Sequence, residues 1–228
     1  MTPAPRFSKA TLSFLTRLKR NNRREWFNAH RDGYEQHIRE PMIAILDRLA
    51  VDMRSIAPEL LVGPKSMYRI YRDVRFSENK QPYKTNVAAS FRPRDLPKGE
   101  GAGMYFHIAL DGVWVGGGMY APETRHLHAV RERIAGDLRK FRSIVEAPAF
   151  KKSLDGGLEG ERLTRVPRGF PKDHDAADYL RYRQFLAGKE FPARFATSPK
   201  FYAGLLDVYR RIAPFIRFLN DSLQDAHV

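Results

Sequence analysis

The two ends of the chain repeat apolar residues with the spacing of α-helices. Near the N-terminus, Ser8 can cap a first helix, and Asn22 followed by Glu25 resembles the capping box of a second helix. Pro41 fits the first turn of a third helix, where its missing N–H costs nothing. The apolar stripes predicted for the first and third helices are Leu12, Leu15, Leu18 and Ile45, Leu49, Met53.

Helical spacing returns after residue 120. One helix is predicted over residues 123–141 and another over residues 173–186, separated by a Gly- and Pro-rich irregular connection at 155–172. Ser198 and Pro199 begin the last helix as N-cap and first-turn proline, and Pro214 is expected to kink or break it. The apolar stripe of that helix is Leu205, Val208, Ile212 and Phe215.

The middle of the chain has the pattern of β-strands. Residues 67–76 are rich in aromatic and β-branched residues and predict a strand, and residues 87–91 predict a shorter one. If residues 67–76 are extended, one face is mostly apolar and the other is charged. The core face would carry Tyr68, Ile70, Val74 and Phe76, with Arg72 among them, and the opposite face Arg69, Tyr71, Asp73 and Arg75.

A β-hairpin is predicted over residues 104–119, because Asp111-Gly112 is a favoured two-residue turn. This register sets His107 opposite Gly116 and Tyr105 opposite Gly118, on the face away from the apolar side chains. Such a floor of glycines can admit a ligand close to the backbone, and the alternative is that the glycines form a bulge or bend. Helices, antiparallel strands and then helices predict an α+β fold, with a central antiparallel sheet packed by the terminal helices, and one domain over residues 1–228.

Positive charge is concentrated in two segments. The net charge of the 228 residues is +14, and residues 65–94 combine eight Lys or Arg with two acids, while residues 1–39 combine nine with three. A basic balance of this size attracts nucleic acid, anionic lipid or small polyanions. The alternative interpretation of either segment is a solvated basic surface.

Several classes of protein do not fit the composition. The chain has no cysteine, which excludes disulfides and thiolate metal sites. No apolar run reaches about 18 residues, and the N-terminus lacks the apolar core of a signal peptide. We therefore expect a soluble, cytoplasmic protein without a membrane span. The histidine pairs His30/His37 and His126/His128 are weak candidates for metal ligands, so no metal and no cofactor is predicted.

Residues 69–83 match the pattern Arg-x-x-Arg-Asp-x-Arg-Phe-x-x-[Asp/Asn]-Lys-x-x-Tyr. This motif resembles the signature of a bacterial family catalogued as domain of unknown function 2461. The resemblance implies a single full-length domain and no established activity. It departs at Arg183, where Lys is more usual. Further matching segments are Asn21-Asn22-Arg23-x-Glu25-Trp26-Phe27, Glu40-Pro41-Met42, Lys84-Thr85-Asn86, Gly116-Gly117-Gly118-Met119-Tyr120, Pro167-Arg168-Gly169-Phe170 and Leu180-Arg181-Tyr182-Arg183.

The motif and its surroundings carry the predicted ligand-binding residues. Arginine forks bind phosphate or carboxylate through two hydrogen bonds, and the neighbouring amides and phenol add neutral donors. The competing interpretation is that Arg72 and Asp73 form ion pairs that hold a strand to a helix. The predicted ligand-binding set is Arg69, Arg72, Arg75, Asn79, Lys80, Tyr83, Lys84 and Asn86, with Arg168, Arg181 and Arg183 completing the site from the C-terminal half.

Three residues are candidates for catalysis. Arginines beside Asp73 should depress its pKa, which suits an orienting partner better than a general base. Cations near Lys80 would lower its pKa and make it a nucleophile or base. His107 is a candidate because of its predicted glycine neighbours, and the alternative is a hydrogen-bonded, half-buried histidine. No P-loop or nucleophile elbow is present.

The sequence favours a basic, aromatic-lined pocket that binds a phosphorylated or carboxylated small ligand, and it leaves open whether a reaction follows binding. A nucleic-acid-binding module is the alternative, because cations and aromatics are interleaved. A scaffold that binds an acidic protein partner is the second alternative.

Overall fold

A computed structural model describes residues 4–224 and has an α+β fold, as predicted. Its six strands form one antiparallel sheet with the order β1-β2-β3-β4-β6-β5. The strands are β1 (Leu60–Leu61), β2 (Val87–Pro93), β3 (Gly103–Ile108), β4 (Val113–Met119), β5 (Leu158–Glu159) and β6 (Phe185–Phe191).

Helices precede and follow the central strands. A π-helical turn, Glu35–Arg39, connects the third helix to the fourth. Among the described residues, no helix combines the length and apolar character needed to cross a membrane. The helices are α1 (Lys9–Arg20), α2 (Arg24–Ala29), α3 (Arg31–Tyr34), α4 (Glu40–Asp52), α5 (Thr124–Gly136), α6 (Leu138–Val145), α7 (Pro148–Ser153), α8 (Ala177–Leu180) and α9 (Phe201–Gln224).

The chain divides into two compact units. The first unit comprises Met1–Ser90, Tyr105–Val115 and Glu190–Leu206, and its core includes Phe7, Phe27 and Phe201. The second comprises Phe91–Met104, Gly116–Lys189 and Asp207–Val228, and its core includes Phe91, Phe141 and Phe218. Strands β2, β3, β4 and β6 and helix α9 contribute residues to both units. One domain over residues 1–228 stays a prediction.

The predicted terminal helices and their stripes are largely confirmed. Ser8 is the N-cap of α1, and its backbone N–H donates to Thr11 Oγ1 over 3.3 Å. Pro41 lies in the first turn of α4, whose inner face is buried as the spacing indicates. The stripe of α9 is also buried. The expected break at Pro214 is wrong, since α9 runs through this residue without interruption.

Three local predictions fail, one of them through a local helix cap and the others where the segment makes contacts elsewhere in the fold. Asn22 is not a helix cap, since Arg23 occupies that position and the Asn22 side chain binds elsewhere. The helix predicted over 123–141 ends at Gly136, and Asp137 accepts a hydrogen bond from the Lys140 N–H to begin α6. The helix predicted over 173–186 shrinks to the four residues of α8, and the rest of that segment leads into strand β6.

Residues 67–76 do not form the predicted strand. Met67 pairs with Ala89, and Tyr71 pairs with Tyr83. The two bridges are four residues apart in one segment and six residues apart in the other, so the longer segment bulges between them. The bulge ends the strict alternation of side chains. Of the predicted core face, Ile70 is buried, whereas Tyr68 and Phe76 expose 47% and 96% of their surface.

The hairpin is confirmed, but its turn lies one residue earlier than predicted. The Ala109 N–H donates to the Gly112 carbonyl over 2.8 Å, which places Leu110 and Asp111 at the turn. His107 therefore faces Trp114 instead of Gly116. Each residue of β3 pairs two residues earlier in β4 than predicted. Because side chains alternate with a period of two, the same side chains still point to the buried face. The buried side chains are Met104, Phe106, Ile108, Val113, Val115 and Met119.

Glycines in the second unit allow close approach of backbones. A Cβ on Gly117 would overlap the Gly103 carbonyl. Gly118 has φ +134°, and its Cβ would overlap the Phe185 carbonyl and lie 2.9 Å from the Leu186 Cα. These glycines are therefore needed where strands pass one another, which favours the bend interpretation over a ligand floor at these two positions.

We predict that Gly118→Ala destabilises the protein by about 1–3 kcal/mol, because alanine must adopt a strained φ and push the Phe185 backbone away. Gly136→Ala is the matched control, since nothing lies within 4 Å of a Cβ there and the residue is helical. The control should be neutral or slightly stabilising. Urea unfolding compares the two midpoints, and equal midpoints would contradict the proposed backbone contact.

Candidate anion-binding site

Asn22 and Phe27 anchor the C-terminal end of the motif, residues 69–83, inside the first unit. The Asn22 side-chain amide donates to the Tyr83 carbonyl over 2.9 Å, and its oxygen accepts from the Tyr83 N–H over 3.0 Å. The Tyr83 ring is buried and stacks on Phe27 with ring centroids 4.2 Å apart. Both backbone groups of Tyr83 are thus satisfied by one side chain, and its ring position is set by a second.

A hollow of about 460 Å³ opens beside this anchor, and we call it the polar hollow. Six of the residues predicted from the sequence line it: Arg72, Asn79, Tyr83, Lys84, Asn86 and His107. The sequence analysis missed Lys19 as a site residue, although it lies in the basic segment 1–39, and it did not connect Gln81, Thr85 or the predicted hairpin turn with the site. The remaining lining residues are Lys19, Gln81, Thr85, Ala109, Leu110 and Asp111.

Positive charge dominates the polar hollow. Lys19, Arg72 and Lys84 line it, and Asp111 is the single carboxylate among its lining residues. Within the described part of the chain, no carboxylate lies at ion-pair distance from Arg72 or Lys84. The hollow therefore holds cationic groups that the protein's own acids do not neutralise, which is the arrangement expected of an anion site.

Backbone and ring contacts position the two central cations. The Arg72 guanidinium donates to the Gln81 carbonyl over 3.3 Å and to Ser77 Oγ over 3.4 Å. Lys84 Nζ donates to the Arg69 carbonyl over 3.0 Å and lies 5.1 Å from the centre of the Tyr68 ring. Burial, with a smaller effect from Arg69, lowers the pKa of Lys84. The ammonium form of Lys84 is therefore disfavoured relative to a lysine in water.

His107 is the one catalytic candidate that lines the polar hollow. It is half-buried beside Tyr105, with ring centroids 5.6 Å apart. Burial lowers the pKa of His107, although Asp111 and Glu190 oppose this effect. Burial also raises the pKa of Tyr105 to about 12. Both side chains are thus held neutral near pH 7, and His107 keeps a ring nitrogen able to accept a proton.

Asp73, Arg75 and Lys80 lie at the exposed tip of the motif, outside the lining of the polar hollow. Arg75 binds Asp73 through two hydrogen bonds, of 3.0 Å from Nε and 2.8 Å from Nη2. These bonds lower the pKa of Asp73 in the direction predicted, and Arg75 is their principal donor. The competing interpretation, in which ion pairs of Arg72 and Asp73 hold a strand to a helix, is not what forms: Asp73 pairs with Arg75, two residues away. Lys80 Nζ donates to the Val74 carbonyl over 3.1 Å.

Arg69 lines a different hollow of the first unit, which has a volume of about 320 Å³ and which we call the aromatic hollow. Neighbouring residues of the motif thus line different cavities. Arg69 and Tyr71 line the aromatic hollow, whereas Arg72 lines the polar hollow. The lining residues are Phe27, Arg31, Tyr34, Glu35, Arg39, Ile43, Pro64, Met67, Tyr68, Arg69, Ile70 and Tyr71.

Arg168, Arg181 and Arg183 belong to the second unit. Arg181 binds Asp178 over 2.7 Å, and Arg183 binds Glu161 over 3.2 Å, whereas Arg168 is exposed. Two of these three guanidinium groups therefore already have a carboxylate partner. Their role in ligand binding stays a prediction.

The residues that the structure describes contain no cluster of three or more His, Cys, Asp or Glu that could hold a metal ion.

Comparison with known proteins places the chain in a family. None of the curated proteins compared with the chain matches it. A family model described as a conserved hypothetical protein (DUF2461) matches residues 10–218. This match covers most of the chain and agrees with the resemblance noted from the motif. The chain therefore belongs to the DUF2461 family of conserved hypothetical proteins.

Proposed function

We propose that the first unit binds a small phosphorylated or other anionic ligand in the polar hollow. One observation carries the proposal: three cations, Lys19, Arg72 and Lys84, line one concave surface with a single carboxylate among the lining residues. A hollow of about 460 Å³ is within the size range of small-molecule sites.

The donors around the hollow suit an oxyanion. Arg72 has five N–H groups, and its two long hydrogen bonds to Gln81 and Ser77 leave most of them for a ligand. Asn79 and Asn86 add neutral donors that can bind phosphate oxygens without changing the charge. The partial desolvation of Lys84 makes an anion beside it more favourable than in water, because charges interact more strongly away from solvent.

We predict that Arg72→Ala weakens binding of inorganic phosphate by about tenfold or more, since a charge-assisted hydrogen bond contributes about 1.5–3 kcal/mol. Arg75→Ala is the matched control, because Arg75 is exposed, paired with Asp73 and absent from the hollow's lining. Calorimetric titration of the full chain measures both affinities, and the thermal midpoint verifies folding. Equal losses in the two variants, or phosphate binding that neither variant changes, would contradict the site.

We further predict that sulfate binds more tightly as the pH falls through the pKa of His107. Burial lowers this pKa in the free protein, and an anion in the hollow would favour the imidazolium form, so binding is coupled to proton uptake. Sulfate is the probe because its own charge does not change between about pH 5 and 8. His107→Gln should abolish the dependence of sulfate affinity on pH. If the dependence persists in this variant, the proton taken up on binding belongs to another group.

A second function, binding of single-stranded nucleic acid, is favoured by the tip of the motif. Phe76 exposes 96% of its surface, and the Arg75 guanidinium lies 5.8 Å from the centre of its ring. An exposed ring beside cations is the arrangement on which unpaired bases stack. The net charge of +14 adds the electrostatic attraction that phosphate backbones require.

For this second function, we predict that Phe76→Ala weakens binding of a fluorescent oligothymidylate by about fivefold or more, because base stacking contributes about 1–3 kcal/mol. Tyr120→Ala is the control, since Tyr120 is also highly exposed, at 74%, but lacks a described cation above its ring. Anisotropy titrations at several salt concentrations measure both affinity and slope. No binding at low salt, or equal effects of the two substitutions, would remove this function.

A further inference from the structure

The aromatic hollow of the first unit differs in chemistry from the polar hollow. Four of its lining residues are aromatic, and four of the other eight are apolar. Phe27 lines it and also stacks on Tyr83, which lines the polar hollow, so the two cavities share an aromatic wall. Its volume of about 320 Å³ is at the small end of ligand sites, enough for one ring with a short substituent.

The rings of this hollow are held in place, and two of them remain uncovered. Phe27 and Tyr34 are buried, with centroids 5.3 Å apart, and Phe27 also lies 6.3 Å from the Tyr71 ring. Tyr68 and Tyr71 each expose 47% of their surface. Large aromatic side chains that line a cavity with half their surface exposed provide faces and edges for a planar apolar guest.

The lining of the aromatic hollow carries an excess of positive charge. The lining contains Arg31, Arg39 and Arg69 against the single acid Glu35. Glu35 is bound to Arg39 over 3.2 Å. In the part of the chain that the structure describes, Arg31 and Arg69 have no carboxylate within ion-pair distance. A guest that combines an aromatic ring with one negative charge would match both properties of the lining.

The backbone gives an independent sign of function. Glu35 and Arg39 are the first and last residues of the π-helical turn. Such turns are rare, because their hydrogen-bond geometry is unfavourable, and they occur often at functional sites. Here the turn supplies two lining residues of the hollow, and Tyr34 immediately before it supplies a third.

We propose that the aromatic hollow is a second binding site, which takes a planar aromatic ring bearing one carboxylate or phosphate group. The ring packs against Tyr68 and Tyr71, and the anionic group binds Arg69 and Arg31. This site is independent of the anion site in the polar hollow, and neither requires the other to be occupied.

The test uses benzoate and phenyl phosphate as probes, with benzyl alcohol as the neutral ring and inorganic phosphate as the ringless anion. Titrations of the full chain are followed by NMR. Benzoate or phenyl phosphate should shift resonances of Tyr34 and Tyr71, whereas benzyl alcohol should bind at least about fivefold more weakly. The tighter of the two anionic probes identifies the group that the arginines prefer, and either preference supports the proposal.

Two variants locate the binding. Arg69→Ala should weaken the preferred probe about tenfold, and Tyr71→Leu, which keeps apolar surface, should weaken it about threefold or more. Arg54→Ala is the control and should leave affinity unchanged, because Arg54 is an exposed arginine of the first unit that lines neither hollow. Probe affinity that Arg69→Ala and Tyr71→Leu leave unchanged in folded protein, equal binding of benzyl alcohol, or shifts confined to His107 and Asn86 in the polar hollow would overturn the proposal. Inorganic phosphate separates the sites, since Arg72→Ala should affect it and Tyr71→Leu should not.

Discussion

The two hydrogen bonds between the Asn22 side chain and the Tyr83 backbone are the constraint on which the site depends. They join residues that are 61 positions apart, and the stacking of Tyr83 on Phe27 reinforces them. A basic loop would otherwise spread into solvent, because its cations repel one another. Anchored at this point, the motif runs in bulged pairing beside β2, and its side chains divide between two cavities.

Electrostatics separate the motif's cations into two groups. Arg75 already has a carboxylate partner in Asp73 and is well exposed, so the pair contributes little to stability. Arg72, Lys84 and Lys19 face a hollow with one acid among its lining residues. Positive groups held close together without a partner raise the free energy of the folded state, and a bound anion relieves this. The exposed tip and the concave side of one motif therefore suit different kinds of partner.

Prediction from the sequence succeeded where the hydrophobic pattern of a segment alone determines its secondary structure. The stripes of α4 and α9 and the alternation of the hairpin are confirmed, as are Leu15 and Leu18 of the α1 stripe, because each of these segments buries one apolar face. It failed where a distant residue decides the outcome. Asn22 has a cap-like spacing but is used by Tyr83, and the segment that ends in β6 becomes a strand because neighbouring strands are there to pair with it.

The sequence by itself determined that this is a basic α+β protein of the DUF2461 family, with its strongest charge cluster at residues 65–94. Composition and periodicity are properties of the chain alone, so they can be read without coordinates. Only the tertiary structure decided which cations face a hollow and which are paired. Arg75 pairs with Asp73, two residues away, whereas Arg72 faces the polar hollow. The Asn22 anchor, which joins residues 61 positions apart, holds the end of the motif beside that hollow.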